Sequence, residues 1–397
     1  MSTSRAPLDL RPGALEGVRV LDLSRVLAGP YAGRLLSDLG ADVVKLEPPG
    51  GDDSRHVAPK RDRGMSGLYT WVNAGKRNLS IDVRTDRGRA VALDLASRSD
   101  VVIENFRPGV ADRLGIGWEA IHARNERTIL VSVNGFGSDS SWSERRGFAH
   151  VVHGATGILH DQADRTGQPV VQLAQAYGDI ATALHATIAA LSALRVVQQG
   201  GRGQHVELAM FDSVLATYTE TNFALLDPPE ARETGLVFDA GRHGLVAIAG
   251  APAHVWRLFH ERHGIPDPTP PGANLETKAR LRWEAIEAWM DGCDLPDDVI
   301  AGAESAGLAC ARVATLRDAL TGPLAEERGL LTWLDDRRGG ERAVVRAPYR
   351  FSDSGTAVRG PAPRRGEHND EVLGGIGYDA AQIEALRAEG ILSEDVS

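Results

Sequence analysis

The stretch from Val18 to Glu47, VRVLDLSRVLAGPYAGRLLSDLGADVVKLE, carries two different periodicities in turn. Val18-Arg19-Val20-Leu21-Asp22-Leu23 reads as a strand. Pro30 to Leu39 reads as a helix, entered through Ala28-Gly29-Pro30, where proline's fixed φ suits a first turn, and stopped by Gly40. Ala41-Asp42-Val43-Val44-Lys45-Leu46 reads as the next strand. The alternation continues with strands at Arg77 to Val83, Val101 to Glu104 and Ile129 to Val133, and with helices at Thr85 to Ser97 and Trp118 to Arg124. Repeated βαβ units predict a doubly wound, mainly parallel sheet that takes its ligand beyond the C-terminal strand ends. After the first strand there is no G-x-G-x-x-G. Leu27-Ala28-Gly29-Pro30 stands there instead, which argues against a nicotinamide dehydrogenase.

The rest of the chain sets limits. Its 397 residues exceed one ordinary core, so two domains are expected. Apolar residues make up 42% and charged residues 25%, ordinary for a soluble globular protein. A net charge of −10 argues against a nucleic-acid surface and leaves room for a local basic pocket. Cys293 and Cys310 have neither metal-ligand spacing nor a disulfide framework, which predicts a reducing cytoplasm. The opening MSTSRAPLDLRPG reads as a loose polar leader, and no apolar run is expected to span a membrane. Pro48 to Met65 reads as a long functional loop and LLDPPEARETG, residues 225–235, as a linker. Beyond it come a strand at Gly244 to Ala249 and helices at Ala253 to His263 and Leu281 to Met290, with Trp283, Ile286, Trp289 and Met290 as core. The turn-rich tail ends in a helix around Ile383 to Leu386, closed by Gly390.

A second stretch, AYGDIATALHATIAALSALRVVQQGGRGQHVELAMFDS (residues 176–213), carries the candidate chemistry. Ile180, Leu184, Thr187, Ile188, Leu191 and Leu194 recur at helical spacing and predict an apolar face. Past Gly200-Gly201-Arg202-Gly203-Gln204 the chain restarts as a strand, His205 to Leu208. Asp179 follows Gly178 at the helix start, where the dipole and free N–H groups favour a carboxylate. Such an aspartate is either an N-cap or a nucleophile with its oxyanion stabilisers in place, and the residues alone leave both open.

Several phrases then fall in order: Leu15-Glu16-Gly17-Val18-Arg19-Val20-Leu21-Asp22, Ala28-Gly29-Pro30, Leu39 to Asp52, Asn73-Ala74-Gly75-Lys76-Arg77, Glu104-Asn105-Phe106-Arg107-Pro108-Gly109, Gly178-Asp179, Gly201-Arg202-Gly203-Gln204 and Gly366-Glu367-His368. Together they resemble the family III CoA-transferases, the group of the formyl-CoA:oxalate and carnitine enzymes. The resemblance covers nearly the whole chain. It implies an α/β architecture: a Rossmann-like large domain from residues 1–200 and 326–397, a linker at 201–230, and a smaller inserted α+β domain at 231–325. It also implies an interlocked homodimer. The implied partners are an acyl-CoA and a free carboxylic acid, with CoA as part of the substrate, no resident cofactor and no metal.

Asp179 is the implied nucleophile, passing through mixed anhydrides and an aspartyl-CoA thioester. The implied CoA contacts are Val26, Leu27 and Ala28, then Asn73, Lys76 and Arg77, then Asn105, Phe106 and Arg113, with Phe136 near the active site. The racemase branch, which epimerises 2-methylacyl-CoA, carries a histidine where the resemblance puts Ala149 of Ala149-His150. That counts against proton exchange, although His150 and His153 leave an imidazole base nearby. Ser138-Asp139-Ser140-Ser141-Trp142 replaces the family's usual Gln-Thr-Gly-Pro phrase and implies an altered substrate pocket. Asp239 to Gly244 lacks a tetraglycine loop, which argues against oxalate or formate. The intact Gly178-Asp179 phrase opposes a non-catalytic CoA-binding role.

Overall fold

Six strands, β1 (Arg19–Asp22), β2 (Asp42–Glu47), β3 (Arg77–Ser80), β4 (Val101–Glu104), β5 (Ile129–Asn134) and β6 (His205–Ala209), form one parallel sheet in the order β3-β2-β1-β4-β5-β6. The computed structural model describes residues 11–57, 65–226, 236–337 and 339–395. The expected leader through residue 10, residues 58–64 of the expected loop and residues 227–235 of the expected linker lie outside them.

Helices connect successive strands: α1 (Ala28–Asp38), α2 (Gly67–Asn73), α3 (Asp86–Ser97), α4 (Val110–Arg113) with α5 (Trp118–His122), and then α6 (Ala149–Ala155), α7 (Ile158–Thr166) and α8 (Tyr177–Gln198). Helix α9 (Met210–Thr217) leaves β6. Strand order reverses between β1 and β4. The loops after those two strands therefore diverge and open a crevice at the C-terminal edge of the sheet.

Both faces of the sheet are buried, because neighbouring strand residues point to opposite sides and both are apolar. Val20, Val43 and Val101 meet α1 and α8 on one face. Leu21, Val44 and Val102 meet α3 and the C-terminal helices Asn369–Gly375 and Ala380–Ala388 on the other. Ile81 bridges Leu392, so the tail returns to the sheet that the first residues begin.

The chain divides into two units, Met1–Thr221 with Glu326–Ser397, and Asn222–Ala325. The second contains an antiparallel sheet of β7 (Leu236–Asp239), β8 (Leu245–Ile248) and β9 (Cys310–Arg312), with α10 (Pro252–His263), α11 (Leu275–Asp291) and α12 (Pro296–Ser305). Phe238 stacks on Trp283 with ring centroids 4.2 Å apart, and Trp256, Phe259, Ile286 and Met290 are buried with it. The tryptophan-rich helix is core, as its spacing predicts.

Three sequence expectations need correction. Residues 205–217 are not linker: β6 pairs with β5 from Leu130↔His205 to Asn134↔Ala209, and α9 continues into the core through Met210 and Val214. The predicted apolar row of α8 is only partly its buried face: Thr187 and Leu194 are buried and Leu191 packs against the core, but Leu184 and Ile188 turn outward. Ala183, Ala186, Ala190 and Ala193 face inward, where small side chains let α8 approach α1 closely, while Leu184 and Ile188 are 41% and 59% exposed. Finally, α8 at 22 residues is long and apolar enough to cross a membrane, against the expectation that no run would be. Half of its apolar window is buried inside the fold, so it is the core helix of this unit.

Candidate active site

Charged side chains gather at the C-terminal ends of the strands. Asp22 ends β1, Lys45 and Glu47 end β2, and Glu104 ends β4, all buried. Buried ions need partners, since desolvation costs several kcal/mol per charge. Lys76 Nζ donates to Asp22 Oδ2 at 2.8 Å, Asn73 Oδ1 at 2.9 Å and the Pro30 carbonyl at 2.7 Å. Lys45 Nζ pairs with Asp52 Oδ2 at 3.1 Å and also donates to the Ser24 carbonyl. Burial opposes the charge on Lys45, but Asp22, Asp52 and Glu47 outweigh it and hold its pKa above the ordinary value. Burial likewise opposes charge on Asp52, yet Lys45 and the Ser54 N–H bring that carboxyl down to about 2.

This network underpins the turn after β1. Val26 there adopts φ +68°, a left-handed conformation that a β-branched residue rarely takes. Its N–H donates to both Asp52 oxygens, at 3.1 and 3.3 Å. Asn105, after β4, clasps the preceding residue from the other side. Its Oδ1 accepts from the Arg25 N–H and its Nδ2 donates to the Arg25 carbonyl, both at 2.7 Å. The turn therefore cannot relax without breaking buried polar contacts.

The pinned turn launches α1 with no side-chain cap, so its first N–H groups stay available. Helix α8 also starts without a side-chain cap. Asp179 lies in the first turn of α8, not at its cap, which is Ala176. The Ala28 N–H at the start of α1 is near enough to favour its charged form. Two helix N-termini thus serve one carboxylate. Gly178 sits tightly beside it: a Cβ there would lie 3.0 Å from Met210 Sδ, and Met210 would have to shift. The buried His153 accepts the Gly178 N–H on Nε2 at 3.0 Å, which puts its proton on Nδ1 and fixes the turn. Burial also holds the His153 pKa below the ordinary imidazole value.

Burial pushes the pKa of Asp179 up to about 6, against the pull of the Ala28 N–H and of His150. The dipole argument alone predicts the opposite direction, and desolvation wins. If Asp179 reacts as a carboxylate, kcat/KM should fall about tenfold per pH unit below about 6 and level off above it. A flat profile down to pH 5 would exclude Asp179 as the titrating group.

Asp179 opens into a cleft of about 630 Å³ at the topological switch point. Arg25, Val26, Leu27 and Ala28 line it after β1, Asn105, Phe106 and Arg107 after β4, Asn134 and Gly135 at the end of β5, and Phe148, Ala149 and His150 at the start of α6. Of the residues expected from sequence, Val26, Leu27, Ala28, Asn105, Phe106 and Asp179 come together here. Asn73 and Lys76 do not. They are buried in the ion network, and burial brings Lys76 down to about 8. Arg77 pairs with Asp42 at 2.6 Å and Glu371 at 3.1 Å. Arg113 is exposed on α4, outside the cleft lining. Phe136 stands one layer behind, edge-on to Trp142. Sequence reading missed Arg145, Arg146 and Phe148, whose signal was only their closeness to Ala149-His150.

The sequence profile of CoA-transferase family III matches residues 15–369. The chain belongs to CoA-transferase family III. A formyl-CoA:oxalate CoA-transferase of Streptomyces avermitilis is 30% identical over 413 residues, spanning 96% of this chain and 99% of that one. A succinyl-CoA:mesaconate CoA-transferase of Haloarcula hispanica is 30% identical over 399 residues, spanning 94% of this chain and 99% of that one. The solved structure of a CAIB/BAIF family protein from Brucella suis superposes with a TM-score of 0.78 at 29% identity, covering 92% of this chain and all of that one. Its relatives are enzymes of the CoA-transferring class, EC 2.8.3.

Proposed function

We propose that this family III member moves CoA from an acyl-CoA to a free carboxylic acid through Asp179. The observation that carries this reading is a desolvated carboxylate held in the first turn of one uncapped helix and against the Ala28 N–H of another, facing the cleft. An Asp179 oxygen attacks the thioester carbonyl, the C–S bond breaks, and a mixed anhydride and CoA thiolate result. The thiolate then attacks the aspartyl carbonyl, the anhydride C–O bond breaks, and the donor acid leaves an aspartyl-CoA thioester. The acceptor carboxylate runs the same steps in reverse. Protons balance without a general acid or base, and no step asks for a metal or a resident cofactor. The free N–H groups at the start of α1 would stabilise each tetrahedral oxyanion. Holding the reactants together offsets the poor nucleophilicity of a carboxylate.

The test is intact-protein mass spectrometry after incubation with a panel of acyl-CoAs. A mass gain of one CoA, mapped to Asp179 and absent from Asp179→Ala, supports the route. Turnover without any such adduct would overturn it. Proton exchange at the α-carbon is the second reading, favoured by His150 lining the same cleft. It predicts solvent deuterium in recovered acyl-CoA with no acceptor acid present.

The functional unit on this reading is an interlocked homodimer working in the cytoplasm, in keeping with two free cysteines. The exposed row Leu184, Ile188 and Val196 on α8 is the apolar surface a second chain would cover. Ile188→Asp should shift the particle from dimer toward monomer in sedimentation equilibrium. An unchanged dimer would remove α8 from the interface.

A further inference from the structure

Helix α8 begins after Ala176 with no side-chain cap of its own, and His153 of α6 supplies an acceptor from a distance. Its Nε2 accepts the Gly178 N–H at 3.0 Å, and both residues are buried. Gly178 directly precedes Asp179, so this contact seats the turn that carries the candidate nucleophile.

A backbone N–H can only donate. Nε2 must therefore present its lone pair, and the ring proton sits on Nδ1. Nδ1 has no hydrogen-bond partner among the described residues. One nitrogen of a fully buried ring is thus committed and the other is unserved. A second proton would set an Nε2–H against the Gly178 N–H, donor against donor. The charged ring would then have neither nitrogen paired, where burial makes an unpaired charge most unfavourable. Protonation of the ring and the Gly178 contact exclude each other.

The surroundings offer little to offset that charge. Burial is the main influence on the ring and disfavours the second proton, and His150 on the same helix, with ring centroids 6.1 Å apart, adds to it. Gln172, whose Nε2 donates to the His150 carbonyl at 3.1 Å, is near enough to favour the charged form. Helices α7, α8 and α9 pack against α6. On α8, Tyr177 and Asp179 flank the bonded Gly178. On α7, Asp161 is held by Arg165 and Tyr218, and His160 and Asp164 are exposed. On α9, Asp212 is exposed while Met210 and Val214 join the core.

We infer that neutral His153 is a positioning residue for the reacting carboxylate: Nε2 seats the first turn of α8, and a proton on that nitrogen unseats it. The bearing on turnover rests on the Asp179 reading above, whereas the seating itself does not.

The test uses the full-length enzyme and two readouts. In the first, kcat/KM is followed from pH 8 downward. Asp179 alone gives a fall of about tenfold per pH unit, and the second proton should steepen the wild-type limb toward about a hundredfold per unit. His153→Gln, whose side-chain oxygen accepts but takes no proton in this range, should return the slope to about tenfold. At pH 8, His153→Leu should lower kcat by about tenfold or more with KM changed less, because a buried N–H loses its acceptor, and His153→Gln should recover most of that loss. In the second readout, hydrogen exchange of the Tyr177–Thr182 segment is corrected for the intrinsic rate at each pH. It should speed up in wild type between pH 8 and pH 5 and stay protected in His153→Gln. If wild type and His153→Gln share one slope and one exchange pattern, the inference fails. That comparison decides even where His153→Leu does not fold. If the segment opens with acid only in wild type, and no acyl-CoA labels the enzyme or is turned over, the transferase reading fails and the seating role stands.

Discussion

Asp179→Asn is expected to abolish the CoA adduct and acyl exchange, and at pH 8 to unfold at a higher temperature than wild type. The two effects share one cause. Burial raises the Asp179 pKa from 3.8 to about 6, so the folded protein binds that proton more tightly than the unfolded chain does. Stability from this group is therefore greatest below about pH 4. It is lost as pH rises toward 6, and the deficit is complete at pH 8. Replacing the carboxylate with a neutral amide of the same shape removes a desolvation cost of about 1–3 kcal/mol, since one pKa unit corresponds to about 1.4 kcal/mol. The Ala28 N–H keeps an oxygen acceptor in the amide. Thermal unfolding at pH 5 and pH 8 separates the cause from generic stabilisation, because the gain should shrink at the lower pH. An Asn variant that still exchanges acyl groups would remove Asp179 from the chemistry. A variant destabilised at pH 8 would mean that burial is not what raises its pKa.

The large sheet was legible because its strands are apolar on both faces. Val20-Leu21, Val43-Val44 and Val101-Val102 can only be strands covered on both sides, and the glycine and proline punctuation between them marks the crossovers. Helix α8 shows the limit of reading apolar spacing. Leucine and isoleucine mark an apolar stripe but not which side turns inward, and here Ala183, Ala186, Ala190 and Ala193 are buried with Thr187 and Leu194 while Leu184 and Ile188 are exposed. The site was half legible for a similar reason. Val26, Leu27, Ala28 and Asn105, just past the ends of β1 and β4, and Asp179, in the first turn of α8, are carried by phrases of the resemblance, and the fold brings them together. Lys76 was expected as a CoA contact because it follows Asn73-Ala74-Gly75 in a phrase the resemblance assigns to CoA binding. Only the three-dimensional partners Asp22, Asn73 and Pro30 reveal it as a buried counter-ion.

Asp52→Ala should lower stability by about 3–5 kcal/mol, the usual cost of leaving a buried partner charge uncompensated. Lys45, wholly buried, would lose its 3.1 Å partner, and the Ser54 N–H and hydroxyl would lose the acceptor they share at 2.8 Å. The Val26 N–H would be left with no carboxylate to hold φ at +68°. That last loss reaches the reaction, because the Val26 turn aims the Ala28 N–H at Asp179. In the fraction that folds, kcat should therefore drop by more than tenfold with KM for acyl-CoA changed less. Arg34→Met supplies the comparison. It breaks another buried pair, Arg34–Asp38 at 2.6 Å, farther along α1, and should cost stability without the same fall in kcat. Asp52→Asn separates charge from geometry, since its amide oxygen still accepts from Val26 while Lys45 loses its counter-charge. Recovery of kcat in Asp52→Asn relative to Asp52→Ala, at similar stability, would assign the effect to the turn. Equal kcat in all three variants, once corrected for folded fraction, would reduce Asp52 to a purely structural ion partner.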